Sequence, residues 1–219
     1  MKKGLTELVF ILDRSGSMSG LESDTIGGYN GMLEKQKKEA GDAVITTVLF
    51  DDQYELLHDR IPLKGVRNIS DKEYFVRGST ALLDAIGKTI HKIGNAQKNT
   101  AEDERAEKVM FIITTDGQEN ASREYSYAKV KEQIQRQQEK YGWEFIFLGA
   151  NIDAVAEANR FGIRADRAAN YHADSEGTEL NFMAMSEAIS ELRVSKSISA
   201  GWKSQIDKDF EKRQKRTRR

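Results

Sequence analysis

Four stretches of the chain are almost wholly apolar or β-branched: ELVFILD (7–13), VITTVLFD (44–51), KVMFIITTD (108–116) and WEFIFLGA (143–150). Most of them lack polar alternation, which predicts parallel strands covered on both faces. YELLH and IPLK, on either side of Asp59-Arg60, predict a strand or hairpin near one edge, and AANYH (168–172) predicts a final edge strand.

Between these runs the apolar spacing changes to three and four residues. Residues 22–40 align Ile26, Tyr29, Leu33 and Gln36, with lysines and glutamates opposite. Gly27, Gly28 and Gly31 would each weaken that helix by roughly 1 kcal/mol relative to alanine. Close packing against a neighbour, or an irregular first turn, is the expected reason. Residues 80–93 put Leu83, Ile86, Ile90 and Ile93 on one stripe, with Gly94 as the stop. Residues 123–141 follow Ser122, a good N-cap, and align Tyr127, Val130, Ile134 and Tyr141 before Gly142. A shorter helix is expected at about 152–161, ending at Gly162, and a longer one at 178–194 with Phe182, Met185, Ile189 and Leu192. The charged connection 95–107 reads as an exposed, mobile loop. Strands alternating with helices predict an α/β fold: a Rossmann-like three-layer domain whose central, mostly parallel sheet is flanked by helices. One domain is expected over 1–202, including the last strong helix, followed by a basic, flexible tail over 203–219.

Composition narrows the classes. Of 219 residues, 38% are hydrophobic and 32% charged, enough for one core under a densely charged surface. The apolar runs are far too short to cross a bilayer, so no membrane association is expected. At the N-terminus the apolar segment soon meets Asp13 and Arg14, unlike a secretory signal. The chain has no cysteine, which excludes disulfides and thiolate metal sites and points to a cytoplasmic protein. Six of residues 212–219 are basic, so the overall charge of −1 becomes −7 over residues 1–211. Without an aromatic platform or a nucleic-acid-binding fold, that basic end reads as solvated terminus in preference to a nucleic-acid contact.

In open α/β sheets ligands bind beyond the carboxyl ends of the strands. Three polar clusters fall at such ends: Asp13-x-Ser15-x-Ser17 after the first strand, GST with Ser79 and Thr80 before the helix at 80–93, and TTDGQEN with Asp116. They bring two carboxylates and several hydroxyls, with no histidine or thiolate. A hard-oxygen set of this kind suits Mg2+, with Mn2+ or Ca2+ as substitutes, and its few charges leave coordination positions open. Alternation at 13, 15 and 17 sends those side chains one way, and Gly16 and Gly20 permit the turn. Taken singly, each cluster has a plainer reading: Thr80 as an N-cap, Asp116-Gly117 as a turn.

In this order, DRSGSMS, GST and TTDG resemble the metal-ion-dependent adhesion site of von Willebrand factor A domains, over roughly residues 5–172. The resemblance implies that Asp13, Ser15, Ser17, Thr80 and Asp116 form the metal site. It also implies a non-enzymatic function, in which the cation takes an aspartate or glutamate from a partner protein.

The competing class is a metal-dependent hydrolase or phosphatase. A haloacid-dehalogenase-like phosphatase needs a second aspartate two positions after the first, where Ser15 stands. GSMSG has Met18 where a nucleophile elbow has its central serine. IGKT (86–89) lacks the first glycine of a phosphate loop, since Leu82 holds that place. His58, His91 and His172 show no ligand spacing, and His91 is expected on a helix surface. Asp51 and Asp52 are expected near the same rim, and Arg14 and Met18 as contacts or spacers within the site loop.

Overall fold

The first strand, β1 (Lys2–Asp13), sends Leu8, Phe10 and Leu12 to one face of the sheet and Val9 and Ile11 to the other; all five are fully buried. Each such side chain contributes about 1.5–3 kcal/mol, which makes this strand the centre of the fold. The computed structural model describes residues 1–195 and 197–217. After β1 come α1 (Glu22–Lys37), β2 (Asp42–Phe50), β3 (Tyr54–Pro62), α2 (Leu82–Asn99) and β4 (Ala106–Thr115). The second half runs α3 (Tyr127–Tyr141), β5 (Glu144–Ala150), α4 (Ala154–Arg160), β6 (Ala168–Tyr171), α5 (Ser175–Val194) and α6 (Ser204–Thr217).

The six strands stand in the order β3-β2-β1-β4-β5-β6, and only the β2–β3 pair is antiparallel. α1, α5 and α6 cover one face and α2, α3 and α4 the other, as the α/β pattern predicts. The close-packing explanation for the α1 glycines holds at Gly28, where any Cβ would overlap the Phe182 ring of α5. No helix among the described residues is long and apolar enough to cross a membrane.

Several expectations change. YELLH and IPLK are one strand, and Asp59-Arg60 is a bulge within it: between the Ile45–Ile61 and Thr47–His58 pairs, Thr46 on β2 opposes both Asp59 and Arg60 on β3. Arg60 adopts φ 51° there and its Nε bonds the buried carboxylate of Glu7 at 2.8 Å. α2 runs past Gly94 to Asn99, which lets Gln97 reach that same carboxylate; the expected loop at 95–107 shrinks to 100–105. α3 starts at Tyr127 with Ser126 as its N-cap, because Ser122 and the three amides after it are engaged by Glu119 and Asp84. α5 starts at Ser175, where the Asp174 carboxylate accepts from Gly177 N at 2.8 Å.

The largest change is at 203–219. Where a flexible tail was expected, α6 packs beside β6 and α5; residues 218–219 lie outside the described residues. Trp202 and Ile206 enter the core and Phe210 stacks on His172 at 4.7 Å. These apolar residues recur every four positions, a stripe narrow enough to be masked by the charges around it.

Candidate metal centre

Strand order reverses between β1 and β4, since the chain leaves β1 for β2 on one side and returns to β4 on the other. Loops leaving the two strands must diverge there, opening a crevice at the carboxyl edge. Asp13 is the last residue of β1, and Asp116 directly follows the last residue of β4. Both backbones arrive from buried stretches of their strands.

All five sequence-predicted positions meet in this crevice. Thr80 Oγ1 donates to Ser15 Oγ at 3.0 Å, Ser15 Oγ lies 3.2 Å from Ser17 Oγ, and Ser17 Oγ donates to Asp116 Oδ1 at 2.5 Å. Three loops thus contribute to one continuous chain of oxygens. Asp13 stands behind it, with Oδ1 accepting from Ser15 N at 2.7 Å and Oδ2 from Thr115 Oγ1 at 2.6 Å. Asp13, Ser15, Thr80 and Asp116 are buried and Ser17 is exposed, so the cluster opens at one side. Gly117 closes the floor: a Cβ there would lie 3.2 Å from Ser17 Oγ and 3.3 Å from Thr80 Oγ1.

Thr80 does not cap α2; the N-cap position is Ala81, which offers no side chain bond. The first amides of α2 are satisfied from a distance, Leu83 N by Glu119 at 2.9 Å and Asp84 N by Ser122 Oγ at 3.0 Å. In return Asp84 accepts from the amides of Arg123, Glu124 and Tyr125. Asn120 adds a side-chain bond to Thr80 N at 2.9 Å, and the amides of Asn120 and Ala121 both reach Thr80 O. This lattice fixes the Asp116 loop against the Thr80 turn and leaves the Thr80 hydroxyl to the cluster.

Sequence reading missed the supporting residues. Thr115 holds Asp13, and Tyr74 OH donates to Asp13 O at 2.5 Å from a segment with no regular structure. Thr115 lies within the TTDG motif, one position before Asp116; nothing in the sequence marks Tyr74. Arg14 and Met18, expected as contacts or spacers, are both buried. Arg14 Nε bonds Asp51 at 2.9 Å and its Nη2 bonds Glu55 at 2.7 Å, while Arg77 Nε reaches the same Asp51 oxygen at 2.7 Å. Both guanidiniums lie over Phe75. Asp51 is therefore at the rim yet occupied by arginines. His58 bonds Thr47, His91 bonds Asn95, and His172 contacts Phe210 O.

The electrostatics are those of a site short of positive charge. Burial pushes the Asp13 carboxyl up to about 6, against the bonds from Thr115 and Ser15, and the charge of Asp116 adds to the rise. Burial raises Asp116 too. Asp116 Oδ2 is buried without a hydrogen-bond partner among the described residues, a costly state for a carboxylate oxygen. No three His, Asp or Glu side chains converge to hold a metal among the described residues, so any cation here must rely on hydroxyls. The set fits a small, hard cation: it would give Asp116 Oδ2 a partner, offset the repulsion between the two carboxylates and engage lone pairs of hydroxyls that now bond to one another and to Asp116.

Comparison with protein-family models finds no match, and comparison with curated protein sequences finds none either. Solved structures do match. A von Willebrand factor type A structure from Catenulispora acidiphila aligns over 84% of this chain and 42% of its own, with 15% identity and a TM-score of 0.56. The fold is that of a von Willebrand factor A domain. Proximal thread matrix protein 1 from the mussel byssus, with a zinc-occupied MIDAS motif, aligns over 85% of this chain and 45% of its own (15% identity, TM-score 0.55). Manganese-loaded TRAP protein of Plasmodium vivax aligns over 84% and 75% respectively (16% identity, TM-score 0.56). The chain spans less than half the length of the first two. At these identities the likeness is one of fold.

Proposed function

We propose that this protein is a divalent-metal-dependent protein-binding module. Asp13, Ser15, Ser17, Thr80 and Asp116 would hold Mg2+, with Mn2+ or Ca2+ as substitutes, and the cation would take an Asp or Glu side chain of a partner. The observation that carries this reading is the chain of hydroxyls ending on Asp116, whose second oxygen is buried and has no partner among the described residues. Bound there, the cation supplies an electrophile with positions left open, because most of its protein donors are neutral. The chain's own residues set its orientation: Thr115 and Ser15 N hold Asp13, the Glu119–Asn120 lattice holds Thr80, and Ser17 stands at the open side. A zinc-occupied and a manganese-loaded structure with the same fold are consistent with this reading.

The proposal includes the absence of catalysis. No histidine approaches the site, since all three bond elsewhere, and the Arg14 guanidinium is held by Asp51 and Glu55. Residence in the cytoplasm is proposed from the cysteine-free sequence. The test is a titration of the purified protein with Mg2+ and Mn2+ by calorimetry, beside a pull-down from the native cell with and without chelator. Asp116→Ala should abolish metal binding and partner capture while the fold, by circular dichroism, persists. Capture that survives excess chelator would refute the metal bridge, and turnover of phosphate esters lost in the same variant would favour a hydrolase.

A further inference from the structure

The carboxyl rim of the sheet carries a second feature, one the metal centre leaves unused. α6 begins at the opposite end of the sheet, where Lys203 Nζ donates to the carbonyls of Ala165 and Ala168 at 3.1 and 2.7 Å. It then rises along β6. At Phe210 it has reached the rim, stacking on His172 one residue beyond that strand, and Arg213 pairs with Asp174, the N-cap of α5, at 2.5 Å. At 1.5 Å per residue, the helix continues roughly 10 Å past Phe210 to its end at Thr217. Six of residues 212–219 are basic. Arg213 is engaged by Asp174 and Asp209. Lys212 and Lys215 are exposed and have no ion pair among the described residues.

Between this helix end and the metal centre lies a depression of about 450 Å³, running from Gln118, two residues past Asp116, by Asn151 and Tyr171 to His172 and Phe210. Its one carboxylate, Asp153, accepts from Ala156 N at 3.0 Å as the cap of α4. β4 and β6 are two strand spacings apart, roughly 10 Å, and a helix packed beside β6 adds roughly another 10 Å. About six residues of extended chain cover that distance.

We propose that the end of α6 is the second half of the partner-binding face. A partner segment that gives one carboxylate to the cation lies extended across the depression and sets a cluster of acidic side chains, about six residues away, against Lys212 and Lys215. The inference rests on the metal-dependent reading above and names the partner chemistry it requires: an acidic peptide segment with two separated points of attachment. Charge favours this over nucleic acid. A long polyanion would have to cross a body whose residues 1–211 carry −7, whereas a short segment between the cation and the lysines passes the single carboxylate of Asp153.

The test uses the full chain and a fluorescein-labelled peptide with one Glu, a Gly/Ser spacer of about six residues and a terminal cluster of Glu, read by anisotropy at low ionic strength. The control peptide carries the single Glu alone. With Mg2+ present, Lys212→Glu combined with Lys215→Glu should weaken the long peptide about tenfold and leave the control unchanged. Chelation should weaken the long peptide in both proteins. A calorimetric Mn2+ titration of each protein alone keeps the two claims apart. Mn2+ binding with no response to charge reversal would overturn the α6 assignment and leave the metal site standing. Failure to bind Mn2+ would overturn the metal reading and the two-point mode with it. Metal-independent binding of a single-stranded oligonucleotide as tight as that of the peptide would overturn the choice of partner.

Discussion

Replacing Asp13 by Asn should make the metal-free protein more stable while removing its response to metal. Burial lifts this carboxyl from 3.8 to about 6, so at neutral pH the folded state holds a charge that the unfolded state solvates better. That rise corresponds to about 3 kcal/mol at pH 7.5. Asn preserves the shape and the bonds: its carbonyl accepts from Ser15 N as Oδ1 does now. Its amide can donate to Thr115 Oγ1, whose hydroxyl turns to Gly117 O at 3.1 Å. For a chain of this length, 3 kcal/mol raises the melting temperature by about 6–12 °C. The sign with pH follows from the raised folded value. The wild-type carboxyl adds stability that is fully present below the unfolded value of 3.8 and lost as pH rises through about 6. The advantage of Asn should therefore shrink by about half at pH 5. Urea melts in chelator at pH 7.5 and pH 5 measure both quantities. Millimolar Mg2+, at about a hundred times its dissociation constant, should add about 2.7 kcal/mol to wild type and nothing to the variant. An Asn variant that melts at or below wild type at pH 7.5, or that gains as much from Mg2+, would refute the reasoning.

Gly28→Ala should cost about 1–3 kcal/mol by forcing the Phe182 ring out of the α1–α5 contact, and Phe182→Leu in the same chain should recover part of it in denaturant melts. Arg14→Ala removes one partner of a fully buried ion pair with Asp51, so a loss of about 3–5 kcal/mol is expected from the same assay. Trp202→Ala should cost about 3–5 kcal/mol, because its side chain is buried and its Nε1 bonds Asp166 O at 2.9 Å. A chain truncated after residue 201 should unfold more readily than one truncated after 217; equal stability would mean that α6 lies outside the folded unit.

The layout of the domain could be read from the chain because it depends on local periodicity. Apolar runs such as KVMFIITTD can be satisfied only in strands covered on both sides, and stripes such as Leu83-Ile86-Ile90-Ile93 only on a helix against a sheet. The spacing of Asp13, Ser15 and Ser17 also belongs to the sequence, since three alternating residues after a strand face one way wherever the strand goes. What the sequence could not contain is the meeting of loops separated by 65 and 99 positions, as Thr80 with Ser15 and Ser17 with Asp116. That depended on the reversal of strand order between β1 and β4. The bond from Tyr74 to the Asp13 carbonyl and the capping of α2 by Glu119 and Ser122 are likewise tertiary. So is the docking of α6, where Trp202, Ile206 and Phe210 gain their apolar partners only after β6 and α5 are in place. Local pattern determines which face of each element must be buried, and long-range packing decides which polar groups are left to meet one another at the rim.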